Sequence, residues 1–324
     1  MELMLDLNII PPKKKIRHEH TFLLVGSCFS EEIGNMMKEL KFSVLQNPNG
    51  ILYDPLSISS SLLSYLNNNQ YADEDLFYYN ELWQSFQHHS SFSDTDKEDV
   101  LKNINTSQSI AHEYLKKADW LIITLGSAYN YRLVSTGQNV ANCHKMPSGN
   151  FEKSLIKTDK ILKALANTIE QLQSFNPHLN IIFTVSPVRH IKDGIIENNR
   201  SKARLIEAVH ELKGQYKNVF YFPAYELIID ILRDYRFYKD DMVHPNSIAI
   251  EYVFEKFTGS FFEETSQQII KEIRKIMAAK NHKPFNTGTN AYRSFKKSQL
   301  KKVIELQAML PQINFSDEIK YFAE

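Results

Sequence analysis

The amino-acid sequence predicts an α/β protein, a doubly wound α/β/α sandwich with a five-stranded, mainly parallel sheet. Three observations support this fold class. Short continuous apolar runs recur along the chain, as in strands that are buried on both faces. Segments with apolar residues at helical spacing lie between these runs, and this alternation is typical of a parallel sheet with helices on both faces. Finally, 324 residues of which 43% are hydrophobic can build one sizeable core.

The first half of the chain supplies three of the five strands. Asp54 and Pro55 have the residue types of an N-cap and a first helical residue, and Ser30 is the predicted N-cap of an earlier helix. The predicted elements, in chain order, are a strand at 22–25, a helix after Ser30, a strand at 42–45, a turn at 47–50, a helix from Asp54, an irregular aromatic-rich stretch at 71–92, a helix at 96–117, a strand at 120–125 and a hairpin at 131–143. We expect the hairpin to cover the edge of the sheet.

The second half repeats the alternation and adds helices at its end. The predicted elements are a helix at 154–175, a strand at 181–185, a helix at 202–216, a strand at 219–222, a helix at 225–233, a turn at 244–246, a helix at 247–262 and extra helices at 265–280 and 296–310. Sheets of this kind bind ligands outside the carboxyl ends of their strands. We expect one domain over residues 1–264 and a helical extension over 265–324 that packs on it.

Composition argues against several classes of partner. Lys and Arg together number 38, and so do Asp and Glu, so no net field favours nucleic acid or an anionic membrane. No apolar stretch approaches the ~18 residues of a membrane span and no apolar signal segment is present, which predicts a cytoplasmic protein. Cys28 and Cys143 are expected to be free thiols. The adjacent His88 and His89 are spaced poorly for ligating one metal, so no metal or other cofactor is expected.

The turn at residues 26–30 connects the first strand to the first helix, so its side chains lie at the ligand-binding edge. Free N–H groups at a helix N-terminus can hold the oxyanion of a tetrahedral intermediate and lower the pKa of a thiol. Cys28 or Ser27 is therefore a candidate nucleophile. Because cysteine is often a small core residue, the turn alone does not establish a site.

A carboxylate and a histidine lie three residues apart near the end of the predicted domain. Asp241 precedes His244 on the loop before the helix at 247–262. At this spacing the carboxylate can orient the imidazole and stabilise its charged form while the other ring nitrogen faces a nucleophile. Asp241 and His244 are therefore the candidate acid and base. The alternative is an exposed loop histidine capped by an aspartate.

Several motifs in combination resemble one known family. The segment 22–30 is similar to the first block of SGNH/GDSL hydrolases, and 241–245 is similar to their last block, Asp-x-x-His-Pro. Four segments are similar, in order, to the GSCFA family, which is named for its first motif: 26–30, 185–190, 199–205 and 241–246. The resemblance extends over about residues 22–262. It implies a doubly wound hydrolase-like fold and leaves the substrate open.

The resemblance implies a thiol nucleophile. Aligned on Gly26, the serine of the Gly-Asp-Ser block corresponds to Cys28, while Ser27 occupies the place of the aspartate and stays the alternative nucleophile. A cysteine paired with His244 is more nucleophilic at neutral pH than a serine. Thioester or acyl-transfer chemistry is then expected alongside ester hydrolysis.

The oxyanion donors of the superfamily are matched only in part. Gly50 is the candidate for the glycine amide of the second block, with a plain turn glycine as the alternative. The third block is normally Gly-x-Asn, but Ser127 and an alanine follow Gly126 here. Ser127 or Asn130 is the candidate substitute for the missing asparagine.

These residues define the expected function. Cys28 attacks the carbonyl of a small-molecule or glycan ester or of a thioester, His244 takes the thiol proton, and Asp241 orients His244. Arg189 and His190 follow the fourth strand at the same edge, where Arg189 is placed to bind an anionic group and His190 to add a polar contact. The alternative, favoured by the missing asparagine, is a catalytically silent module that holds a glycan or acyl ligand.

Overall fold

The structure is a computed structural model that describes residues 5–324. The strands are β1 (Thr21–Gly26), β2 (Ser43–Gln46), β3 (Phe77–Tyr79), β4 (Leu82–Gln84), β5 (Trp120–Leu125), β6 (Tyr129–Leu133), β7 (Asn139–Val140), β8 (Phe151–Leu155), β9 (Asn180–Val185) and β10 (Val219–Tyr221). The α-helices are α1 (Cys28–Glu39), α2 (Pro55–Asn67), α3 (Lys97–Lys117), α4 (Thr158–Phe175), α5 (Ile195–Gln215), α6 (Ala224–Glu226), α7 (Ser247–Phe261), α8 (Glu264–Asn281), α9 (Asn290–Met309) and α10 (Ser316–Ala323). A π-helix at Leu227–Leu232 continues α6.

The central sheet has five strands in the order β10-β9-β5-β1-β2, and every neighbouring pair is parallel. The predicted α/β fold with a five-stranded parallel sheet is confirmed. From β1 the chain builds the sheet outward to β2, whereas from β5 it builds in the opposite direction to β9 and β10. This reversal leaves a crevice at the carboxyl ends of β1 and β5, where sheets of this kind bind ligands.

The central strands are buried on both faces. In β1, Phe22 and Leu24 belong to a core cluster with α1, α7 and the C-terminal helices, while Leu23 and Val25 belong to a second cluster with α2 to α5. Burying one such side chain contributes about 1.5–3 kcal/mol to folding. Because successive side chains of a strand point to opposite faces and both faces are buried, both sets of side chains are apolar. This explains why the strands show continuous apolar runs and not an alternating pattern.

The extra C-terminal helices, which the sequence predicts, have buried residues in the first of these clusters. Ile273 of α8, Val303 of α9 and Phe322 of α10 are all buried there. Helix α10 was not expected; it carries Glu318, which is buried and accepts hydrogen bonds from Lys41 (2.9 Å) and Lys280 (3.1 Å). The domain boundary after residue 264 stays a prediction. Among residues 5–324, no helix is both long and apolar enough to cross a membrane.

The first helix begins earlier than predicted. Ser27, not Ser30, is the N-cap residue of α1, and Cys28 is the first helical residue. Ser30 lies within the first turn and faces the sheet, where its Oγ is 3.2 Å from Oγ1 of Thr124. Its hydroxyl therefore has a partner on β5 that the local sequence does not reveal.

Long-range strand pairing also changes three predictions in the middle of the chain. The stretch 71–92, expected to be irregular, contains the antiparallel hairpin of β3 and β4. The predicted hairpin forms from β6 and β7, but it pairs with β8 in a separate three-stranded sheet and does not extend the central sheet. Since β8 takes residues up to Leu155, α4 begins at Thr158 and not at residue 154.

Candidate active site

A cavity of about 290 Å³ lies at the carboxyl ends of β1, β5 and β9, where the order of the sheet reverses. It includes residues of the turn after β1, the loops after β5 and β9, and the loop before α7. The predicted site residues that line it are Ser27, Cys28, Ser127, Arg189, His190 and His244. Motifs at opposite ends of the predicted domain thus meet at one place.

Close approach of β1 and β5 determines the start of α1. Gly26 has a φ of +134°, and a Cβ atom there would lie 2.1 Å from the carbonyl oxygen of Thr124. Only glycine fits this position, because any side chain would collide with the neighbouring backbone. The chain then turns from β1 directly into α1, which places Cys28 at the helix N-terminus beside the cavity.

Burial and the backbone N–H groups of the helix N-terminus shift the pKa of the Cys28 thiol in opposite directions. Burial raises its pKa and outweighs the backbone N–H groups of Phe29 and Cys28, which favour the thiolate; Glu32 and Glu31 raise the pKa further. The expected lowering of the pKa by the helix N-terminus is therefore wrong as a net effect. At neutral pH the thiol keeps its proton, so attack on a substrate requires a base.

Asp241 and His244 form a hydrogen-bonded pair at the other side of the cavity. Oδ2 of Asp241 lies 2.6 Å from Nδ1 of His244, and Oδ1 accepts hydrogen bonds from the backbone N–H groups of Val243 and His244, both at 2.9 Å. The His244 and Val243 N–H groups, followed by the His244 side chain, lower the pKa of Asp241 to about 2. The carboxylate is thus ionised and determines which way the imidazole points.

The loop that carries this pair is anchored to the strand-end loop beside it. The backbone N–H of Arg189 donates to the Val243 carbonyl (3.3 Å), and that of Lys239 donates to the His244 carbonyl (2.7 Å). Within residues 5–324, Nε2 of His244 has no hydrogen-bond partner, and no hydrogen bond joins His244 to Cys28. The two groups therefore line one cavity without a direct hydrogen bond between them.

Two of the predicted oxyanion donors do not reach the cavity. The N–H of Gly50 donates to the Asn47 carbonyl at 2.7 Å, and a Cβ at Gly50 would lie 2.2 Å from that of His89, so this residue is a tightly packed turn glycine. The side chain of Asn130 accepts from Ser154 (2.8 Å) and donates to a neighbouring asparagine in the three-stranded sheet. Their amides are already bonded, which corrects both predictions. Ser127 does line the cavity.

Comparison with known proteins identifies the family of the chain. Residues 21–257 match the model of the GSCFA family, and residues 273–324 match that of the GSCFA domain protein, C-terminal domain. The chain belongs to the GSCFA family. Among curated proteins, none matches it at a significant level.

Solved structures similar to this GSCFA protein include two carbohydrate esterases of family 3. The one from Talaromyces cellulolyticus is 9% identical with a TM-score of 0.37, over 79% of this chain and 99% of the other. The one from Clostridium thermocellum is 14% identical with a TM-score of 0.32, over 78% and 98%. At these TM-scores the likeness gives no information on activity.

Residues that sequence reasoning missed complete the cavity of this GSCFA protein. Tyr53, Tyr129 and Tyr131 contribute aromatic walls, and Asp54 lines the cavity while it caps α2 through bonds from two backbone N–H groups. No local signal marks the tyrosines, since β6 and the loop after β2 approach one another only in the folded chain. Within residues 5–324, no group of three or more His, Cys, Asp or Glu side chains is placed to hold a metal ion.

Lys202 is the other missed residue. It is 1% exposed, and its Nζ donates to the carbonyls of Gly126 and Ser186, both at 2.7 Å. The sequence did hold a signal for this burial: Lys202 lies three and seven residues before Leu205 and Val209, which places all three on the same buried face of α5. A lysine within such an apolar stripe indicates a buried charge.

Arg189 contributes a positive charge to the cavity, and His190 lies beside it as a polar neighbour. Among the described residues, no carboxylate pairs with the Arg189 side chain, which is half-buried. Nε2 of His190 lies 3.8 Å from Oδ2 of Asp193, and burial lowers the pKa of His190. Arg189 is thus available to an anionic group of a ligand.

Proposed function

We propose that this protein is an esterase or acyl transferase in which Cys28 is the nucleophile, His244 the base and Asp241 the residue that orients His244. The observation that carries the proposal is that a histidine held by a carboxylate lines the same cavity as a thiol at a helix N-terminus. The raised pKa of Cys28 supports it, because a protonated thiol needs such a base. Hydrogen bonds of this kind are often long in the free enzyme and shorten when substrate binds.

In the first step, Sγ of Cys28 bonds to the carbonyl carbon while the thiol proton moves to Nε2 of His244. The negative charge on the former carbonyl oxygen is held by the N–H of Cys28, which has no intrahelical partner, and by the hydroxyl of Ser127. The intermediate then loses the alcohol or thiol, which takes the proton from His244. Cys28 is left as an acyl thioester.

In the second step, water or an acceptor hydroxyl gives its proton to His244 and attacks the acyl group. The carbon–sulfur bond breaks, the thiol regains the proton, and the product leaves. The cavity volume of about 290 Å³ lies just below the roughly 300–1,000 Å³ of small-molecule sites, so it suits a short acyl group. Its tyrosine walls suit the apolar face of a sugar, which favours an acylated carbohydrate as substrate.

Ser27 is the less suitable nucleophile. Its Oγ is fully buried and has no hydrogen-bond partner within residues 5–324, although other atoms of the residue line the cavity. A substrate carbonyl would have to displace packed atoms to reach it. Cys28 is only half-buried and is open to the same cavity.

A catalytically silent binding module is the second candidate. The missing asparagine after Gly126 and the lack of a Cys28–His244 hydrogen bond in the described residues favour it. The same cavity would then hold a glycan or acyl ligand without turnover. The two candidates differ in whether an acyl group ever becomes attached to Cys28.

Hydrolysis of nitrophenyl acetate and of an acetyl thioester by the purified protein separates these candidates. We expect turnover that is lost in Cys28→Ala and His244→Ala and kept in Ser27→Ala. Cys143→Ala is the matched control, because it removes the other thiol of the chain and leaves the cavity intact. Mass spectrometry of the Cys143→Ala protein, quenched with acid shortly after mixing with substrate while His244 is intact, tests for an acetyl group on Cys28. No turnover and no acetylation with any ester or thioester would refute the enzyme and favour the binding module.

A further inference from the structure

Lys202 connects two of the loops that line the cavity. It lies on α5, and its Nζ hydrogen bonds reach the carbonyls of Gly126, directly after β5, and Ser186, directly after β9. Gly126 in turn packs against Ser27, since a Cβ at Gly126 would be 3.3 Å from that of Ser27. One ammonium group thus joins the ends of two neighbouring strands beside the residue that precedes Cys28.

This ammonium is buried without a compensating carboxylate. Among the described residues, no Asp or Glu forms an ion pair with Lys202, and its two hydrogen bonds go to neutral carbonyls. The charged or titratable groups that act on it are Cys28 on α1, Arg189 after β9 and Tyr225 on α6, whose ring centre is 6.0 Å away. An unpaired buried cation is costly, so a neighbouring negative charge would stabilise it strongly.

We propose that Lys202 is a positioning residue of the active site: it holds the ends of β5 and β9 in place and supplies the positive charge that stabilises negative charge at Cys28. This inference rests on the proposed function in taking Cys28 as the reacting residue. Lys202 makes no hydrogen bond to Sγ in the described structure, so it acts through the two carbonyls and through space.

The pKa of Lys202 responds to Cys28 in the direction that a stabilising charge requires. Burial lowers the pKa of Lys202 to about 7, whereas a negative charge on Cys28 raises it. The coupling is reciprocal, so a protonated Lys202 must favour the thiolate of Cys28 by the same free energy. Burial, Glu32 and Glu31 oppose that thiolate, and a positive charge on the buried Lys202 would act against all three.

Alkylation of Cys28 by iodoacetamide tests the proposal without any ester turnover. The parent is Cys143→Ala, in which Cys28 is the remaining cysteine. Lys202→Gln keeps N–H donors for the carbonyls but removes the charge, whereas Lys202→Arg keeps both. We expect alkylation at pH 7 to be about tenfold slower in Lys202→Gln, equivalent to one pKa unit of Cys28, and close to the parent rate in Lys202→Arg. Lys213→Met, which removes a lysine from the same helix away from the cavity, is the control for charge.

Parent-like alkylation in a folded Lys202→Gln would overturn the proposal and leave Lys202 as a structural clamp. If neither variant folds, the pH dependence of alkylation in the parent is the test. Coupling between Cys28 and Lys202 predicts that the alkylation rate rises with pH in two steps, and a single step contradicts the coupling. Slow alkylation in Lys202→Gln together with a parent that hydrolyses no ester would overturn the proposed enzyme but keep the Lys202 effect. The failures of the two proposals are therefore distinguishable.

Discussion

Replacing Lys202 with Met is expected to change how the stability of the protein depends on pH. Burial lowers the pKa of Lys202 from 10.5 to about 7, so between these values the unfolded chain binds a proton that the folded chain lacks. The free energy of unfolding therefore rises with pH across this window. At about 1.4 kcal/mol per pH unit, the wild type gains about 2–3 kcal/mol between pH 7 and pH 9, and this gain is absent from Lys202→Met.

The variant also loses two hydrogen bonds, at a cost that is the same at every pH. Without Lys202, the carbonyls of Gly126 and Ser186 lose their donor, at a cost of about 1–3 kcal/mol each. This loss does not vary with pH. It therefore cancels when the two proteins are compared by how steeply their free energy of unfolding changes with pH. The pH-dependent difference isolates the protonation of Lys202.

Urea unfolding at pH 7, 8 and 9, followed by the fluorescence of the buried Trp120, measures both slopes. Lys213→Met is the matched control and is expected to follow the wild type. Equal slopes in wild type and Lys202→Met would refute the reasoning, because they would mean that the folded and unfolded chains bind the same number of protons at Lys202.

Three further predictions concern other parts of the site. Gly26→Ala is expected to lower the free energy of unfolding by about 2–4 kcal/mol, because its Cβ would lie 2.1 Å from the Thr124 carbonyl oxygen. Urea unfolding measures this change. The control is Gly214→Ala, which has no heavy atom within 4 Å of its Cβ and is expected to keep the stability of the wild type. Asp241→Asn is expected to lower kcat for acetyl esters by about 10²–10⁴-fold with the fold intact, because an amide does not orient His244 or stabilise its imidazolium. An unchanged kcat would exclude this role for Asp241. Arg189→Gln is expected to raise KM for an ester that carries a carboxylate and to leave KM for a neutral ester unchanged, and equal effects on both would argue against an anion site.

The sequence predicted the elements whose residues carry their own local signal. β1, β5 and β9 are continuous apolar runs because both of their faces are buried. The start of α2 followed from Asp54, whose Oδ1 accepts from the N–H groups of Leu56 and Ser57 at 3.0 Å each, as in other helix N-caps. The contact of Asp241 with His244 was equally predictable, since three residues on one loop bring the two side chains together.

Predictions failed where a distant partner decided the outcome. Ser30 resembles an N-cap, yet its hydroxyl bonds Thr124 on the neighbouring strand. Asn130 resembles an oxyanion donor, yet its side-chain N–H donates to Asn139 and its Oδ1 accepts from Ser154 on β8. Gly50 is the exception, because its N–H donates to the Asn47 carbonyl within the same turn. For Ser30 and Asn130 the residue type allowed two partners, and the competing partner became close only after the strands had paired.

By itself, the sequence determined the fold class, most helices and strands, and the residues of the first and last motifs, because periodicity, capping and short spacings act between neighbours in the chain. The tertiary structure alone decided that Gly50 and Asn130 lie outside the cavity, that burial dominates the pKa of the thiol, and that Lys202 lies between two strand ends. The physical reason is that desolvation and through-space charge depend on which groups surround an atom, and in this sheet those neighbours come from strands far apart in the sequence.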